Sequence, residues 1–96
     1  MQCQEVLDLL ASHRGELKEL GVESLSLFGS VARNQGSPGS DVDLLVTFDR
    51  PVGLFHFARV RRQLEEILGS PVDLVTEDAL RAEMREQIQR QLVRAA

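Results

Sequence analysis

The chain has no tyrosine, a single cysteine and a single lysine. Each shortage excludes something. Cys3, standing alone, rules out an internal disulfide and a cysteine metal cluster. No apolar stretch approaches the roughly 18 residues that a membrane-spanning helix requires. The opening residues, MQCQEVLDLL, lack the basic start and apolar run of a signal peptide. A cytoplasmic protein with no membrane partner is expected. Positive charge is scarce too: 11 Lys and Arg stand against 15 Asp and Glu, for a net charge of −4. That balance disfavours unaided binding of long nucleic acids.

What remains is an ordinary globular composition, 43% hydrophobic and 27% charged, which argues against disorder. At 96 residues, 1–96 is expected to form a single domain with a modest core. Residues 4–20 read as helix, with Val6, Leu7, Leu10, Leu17 and Leu20 mostly at helical spacing. Gly15 offers a division into two pieces, and Gly21 a stop. Val22 to Phe28 alternates as a strand, and Val31 to Asn34 has room for one helical turn. Residues 34–40, NQGSPGS, have loop composition, and Asp41 to Phe48 reads as a buried strand. Leu54 to Leu68 is predicted as an amphipathic helix. Its stripe is Leu54, Phe57, Val60 or Arg61, Leu64, Ile67 and Leu68, and Gly69-Ser70-Pro71 ends it. Val72 to Thr76 follows as a short strand. Residues 78–94 read as a last helix, with Leu80, Met84, Ile88 and Leu92 four apart. The expected fold is α/β (α+β), a small mixed sheet of three to four strands with helices mainly on one face.

One constellation carries chemistry: Gly29-Ser30, ten residues, then Asp41-Val42-Asp43. Gly29 lies where a strand meets a short helical turn. A glycine there tolerates φ > 0 and lets a phosphate approach the backbone. Ser30 offers an N–H and a hydroxyl to the same anion. Arg33, about one turn on, could reach it as well. Asp41 and Asp43 are two apart at a strand start, so both carboxylates share a face. Side by side they repel, and a divalent cation relieves that conflict. Oxygen-only ligands suit Mg²⁺ or Mn²⁺. Asp73 interrupts the apolar strand Val72-Asp73-Leu74-Val75, a costly place for a charge unless it is paired or metal-bound. If that strand pairs beside the second one, three carboxylates converge, enough for two metals and in-line attack at phosphorus. A D-x-D alone is usually a solvated strand end. The full pattern should arise by chance in about one chain of this length in a thousand.

The segments SLFGSVAR (26–33), SDVDLLVTF (40–48) and VDLVTEDALR (72–81) resemble the DNA polymerase beta-type nucleotidyltransferase superfamily. Within it, the chain is similar to the minimal nucleotidyltransferases that act as antitoxins to HEPN-domain toxins. The resemblance implies a palm-like fold and transfer of AMP from ATP to a hydroxyl, with pyrophosphate leaving. It also implies that Ser30 contacts the triphosphate, that Asp41 and Asp43 bind both metals, and that Asp73 binds the catalytic metal and helps deprotonate the acceptor. Asn34 stands where family members often carry glycine, a change that removes no ligand. In the antitoxin branch the acceptor is a tyrosine of the toxin. This chain has none, so a tyrosine acceptor would belong to another protein, in a hetero-oligomer with a HEPN toxin. Two alternatives stand beside this expectation: a module that blocks its partner by contact, with the metal site idle, and a small-molecule nucleotidyltransferase. His13 and His56 are not at ligand spacing and read as ordinary helix residues. Arg59, Arg61 and Arg62 form a local basic cluster that reads as a solvated helix face, with a contact to nucleotide or partner as the sharper alternative.

Overall fold

The computed structural model describes residues 2–29, 41–76 and 93–94. Helices α1 (Cys3–Ser12) and α2 (Arg14–Glu19) lead into strand β1 (Val22–Phe28). Strand β2 (Val42–Phe48), helix α3 (Leu54–Leu68), strand β3 (Val72–Thr76) and the two-residue strand β4 (Val93–Arg94) follow. The sheet order is β3-β2-β1-β4. β1 runs antiparallel to β2 and to β4, whereas β2 and β3 run parallel, joined by α3. This is the mixed sheet expected from the sequence, with the parallel pair supplied by a helical crossover.

The core lies on the helix-covered face. Leu25 and Leu27 of β1, Val42, Leu44 and Val46 of β2, and Val72 and Leu74 of β3 project onto it. Val6 and Leu10 of α1, Leu17 of α2, and Val60, Leu64 and Leu68 of α3 cover them. Removing any of these leucines to alanine is expected to cost about 2–5 kcal/mol. Val60, not Arg61, occupies the stripe of α3. Leu54 does not join it: it is 79% exposed, and neighbouring Phe55 is 91% exposed. The part of the stripe packed against the core begins at Phe57.

Three further details differ from the sequence reading. The first helical stretch divides at His13, not at Gly15, which lies inside α2. Side chains cause the break. Ser12 Oγ donates to the carbonyl of Asp8 at 2.9 Å, and His13 Nδ1 bonds the carbonyl of Leu9 at 2.9 Å, competing for acceptors in the last turn of α1. Asp41 stands one residue ahead of β2, whose first N–H, that of Val42, bonds the carbonyl of Pro71 at 2.9 Å. The third difference is at the C-terminal end. Residues 93 and 94 pair with Leu27 and Ser26 of β1 as β4, so helix cannot run to 94. The bare edge of β1 offers this segment a ladder that a helical pattern does not reveal. Leu80, Met84, Ile88 and Leu92 lie outside the described residues. Gly21 stops α2 as expected, with φ 85°, and Gly69 caps α3 with φ 67°. Among the described residues, no helix is long and apolar enough to cross a membrane.

Candidate metal and nucleotide site

Strands β2 and β3 carry the same three residues in the same register. Val42 pairs with Val72, Asp43 with Asp73, and Leu44 with Leu74. Alternation sends the valines and leucines into the core and both aspartates to the opposite face. A parallel pair without slip therefore sets two carboxyl groups side by side at the start of both strands. The charge of Asp73 therefore acts directly on the Asp43 carboxyl group.

Asp43 is half-buried, and its pKa is raised from the ordinary 3.8. Burial is the largest cause, followed by the negative charges of Asp73 and Asp41 and by the hydrogen bond to Asp73. Asp73 and Asp41 are exposed. Asp41 acts on Asp43 through charge alone. Among the described residues, no three His, Cys, Asp or Glu side chains are already gathered tightly enough to hold an ion. Two carboxyl groups thus stand in register, with a third in electrostatic reach. Such a site fits a hard divalent cation: the donors are all carboxylate oxygens, and a cation bound among them would relieve their mutual repulsion.

Gly29 closes the site from β1. It directly follows Phe28, the register partner of Asp43. Its φ is 76°, in the left-handed region that glycine tolerates. A β-carbon placed on it would overlap Asp43 Oδ2 outright and lie 3.1 Å from Cγ. The sequence reading kept this glycine clear for a phosphate; the group standing against it is the Asp43 carboxylate. Ser30, Arg33 and the expected helical turn after Gly29 lie outside the described residues.

The other marked residues have structural employment. His56 Nε2 bonds the carbonyl of Leu20, and its ring meets Phe48 edge-on at 6.1 Å between centroids, which fastens the start of α3 to the end of α2. Arg59, Arg61 and Arg62 are exposed, as expected of a solvated face. Cys3 is partly buried against the core. A cleft of about 650 Å³ is lined by Val46, Phe48, Asp49, Arg50, Pro51, Val52 and Thr76, at the far end of β2 from Asp43. Five residues of strand, about 17 Å, separate Asp43 from Phe48. The acid in the cleft lining is Asp49, which is paired with Arg50.

Residues 10–94 match the family profile described as nucleotidyltransferase domain. The chain is 35% identical over 94 residues to protein adenylyltransferase MntA of Thermococcus cleftensis, covering 97% of this chain and 95% of that protein. Its fold is similar to a solved structure provisionally described as a minimal nucleotidyltransferase, with a TM-score of 0.82 and 33% identity over 97% of this chain and 95% of the other. A further likeness is to a structure of tri-AMPylated Shewanella oneidensis HEPN toxin in complex with MNT antitoxin. There the TM-score is 0.60 and the identity 18%, covering 90% of this chain and 71% of the other. At that identity the likeness concerns the fold alone.

Proposed function

The chain belongs to the nucleotidyltransferase domain family, and from that premise we propose that it transfers AMP from ATP to a hydroxyl of a partner HEPN-domain toxin and so acts as its antitoxin. The observation that carries this reading is the Asp43–Asp73 register pair, with Asp41 adding negative charge beside it. Support for the protein acceptor comes from the relative named protein adenylyltransferase MntA, which this chain matches along nearly its whole length. Support for a HEPN partner comes from the fold shared with the AMPylated toxin–antitoxin complex.

In this reading Asp41, Asp43 and Asp73 hold Mg²⁺ or Mn²⁺. When bound, the metal neutralises triphosphate charge and stabilises the charge that develops at phosphorus. The chain's own residues do the rest. Asp73 stands at the open, exposed side of the pair, where it can accept the proton of an incoming hydroxyl. Gly29, Ser30 and Arg33 are assigned to the triphosphate, Ser30 by its N–H and hydroxyl and Arg33 by its guanidinium. The acceptor is assigned to tyrosine. With no tyrosine in the chain, that acceptor must come from the partner.

The test is direct. The chain is incubated with labelled ATP, Mg²⁺ and the HEPN protein encoded beside it, and both proteins are weighed by mass spectrometry. One or more AMP units on a partner tyrosine is the expected result. An unlabelled partner that is nevertheless fully neutralised, by this chain and equally by its Asp41→Asn/Asp43→Asn variant, would replace catalysis with blocking by contact.

A further inference from the structure

We propose that Gly29 is a positioning residue for Asp43: its missing side chain is what allows the Asp43 carboxyl group to stand against the β1 backbone and face Asp73. The inference rests on the reading of Asp43 as a metal ligand and adds to it a reason for the glycine that does not involve the nucleotide.

Three observations carry it. Gly29 has φ 76°, a conformation that L side chains rarely adopt. The β-carbon of an L residue there would overlap Asp43 Oδ2 and crowd Cγ at 3.1 Å and Cβ at 3.3 Å. The crowded atoms belong to a side chain and not to the strand backbone, so the sheet can survive such a substitution only by swinging the carboxylate away. Any such swing changes where the Asp43 carboxyl group stands relative to its register partner Asp73. The same glycine–aspartate contact recurs at the other end of the hairpin in a looser form. There Gly21 has φ 85°, and a β-carbon on it would meet Asp49 Oδ1 at 3.3 Å, a contact that a small shift relieves. Two glycines thus carry similar backbone strain on substitution, and only one of them would displace the paired carboxylate.

A substitution that separates the two effects is available because the chain is short enough for chemical synthesis. In Gly29→Ala the methyl group points at Asp43. In Gly29→D-Ala it replaces the other hydrogen of Cα, and positive φ is the natural conformation of a D residue. Mn²⁺ affinity is measured on both proteins and on the unsubstituted chain by the EPR signal of free Mn²⁺, without nucleotide. Crystal structures report where the Asp43 carboxylate sits. Gly29→Ala should weaken Mn²⁺ about 10- to 100-fold, the range seen when the support of a metal ligand is lost, and should displace the carboxylate. Gly29→D-Ala should bind Mn²⁺ as the unsubstituted chain does. Equal weakening by both, or a Gly29→Ala structure with Asp43 unmoved, would overturn the inference. If Gly29→Ala fails to fold, adding Asp43→Ala must restore folding, since it removes the clash; failure to do so also overturns it. A chain that binds no Mn²⁺ but shows the displaced carboxylate would sink the metal reading and leave the role of Gly29 standing.

Discussion

The two ends of the β1–β2 pair are built alike and behave oppositely. At each end a left-handed glycine of the β1 flank faces an aspartate of β2 or its flank: Gly29 against Asp43, Gly21 against Asp49. Asp49 is exposed and has a cation beside it. Arg50 donates to its carboxylate from Nε at 2.7 Å, which lowers the Asp49 pKa. Asp43 is half-buried, the charges that act on it among the described residues are those of Asp73 and Asp41, and its pKa is raised. The charge problem at the Asp49 end is settled within the chain, by one arginine. At the Asp43 end no arginine or lysine among the described residues is paired with the acids. A carboxylate with its own counter-ion has its charge balanced in place, whereas one held among like charges is a candidate for binding a cation.

The largest test of this contrast is on activity. Asp43→Asn should lower AMP transfer by about a thousandfold or more, since it removes a metal ligand worth several kcal/mol of transition-state stabilisation. Labelled transfer to the HEPN partner measures it. A loss below tenfold would erase the distinction between the two ends. Next comes stability with metal. Mg²⁺ at 100 times its dissociation constant should add about 2.7 kcal/mol at pH 8, read as a rise in Tm of several degrees. The increment should fade as pH falls toward the ordinary carboxylate range, where protons compete for the same oxygens.

Without metal the dependence reverses. A raised pKa means that the folded chain holds the Asp43 proton more tightly than the unfolded chain does. This contribution is fully present below about pH 3.8 and is lost as pH rises through the raised value. The Tm of Asp43→Asn should lack that component. A smaller effect is expected from Gly21→Ala. It should cost about 1–2 kcal/mol for its positive φ and leave AMP transfer unchanged. Smallest of all, Asp49→Asn should shift Tm by no more than about 2 °C, as expected of an exposed ion pair, with transfer within about twofold of the unsubstituted chain.

Much of this contrast was legible in the sequence, unevenly. β1, α3 and β3 have the predicted bounds because alternation and helical spacing run uninterrupted between clear stops such as Gly21 and Gly69. The acids Asp41, Asp43 and Asp73 were visible as charges at the start of, or inside, apolar strands. The register pairing of Asp43 with Asp73 was only a conditional, since it depends on which strands adjoin, although the shared Val-Asp-Leu is in hindsight its trace. Contacts between distant segments left no such trace. The overlap of a Gly29 side chain with Asp43 crosses from one strand to another, and β4 needs the open edge of β1 to exist before two residues can pair with it. In the first helical stretch Gly15 is the conspicuous breaker, and it draws the predicted division past the true one at His13. Ser12 and His13 act through side-chain hydrogen bonds that composition does not advertise.

The central claim is that the Asp43 end of β2 is the working end. A crystal grown with Mn²⁺ and a non-hydrolysable ATP analogue, with the anomalous signal of manganese located, tests it most directly. The account predicts the strongest peak between the carboxylates of Asp43 and Asp73, with Asp41 drawn in as a further ligand. Manganese and nucleotide lodged instead in the cleft beside Asp49 and Arg50, with no manganese at Asp43 and Asp73, would contradict it.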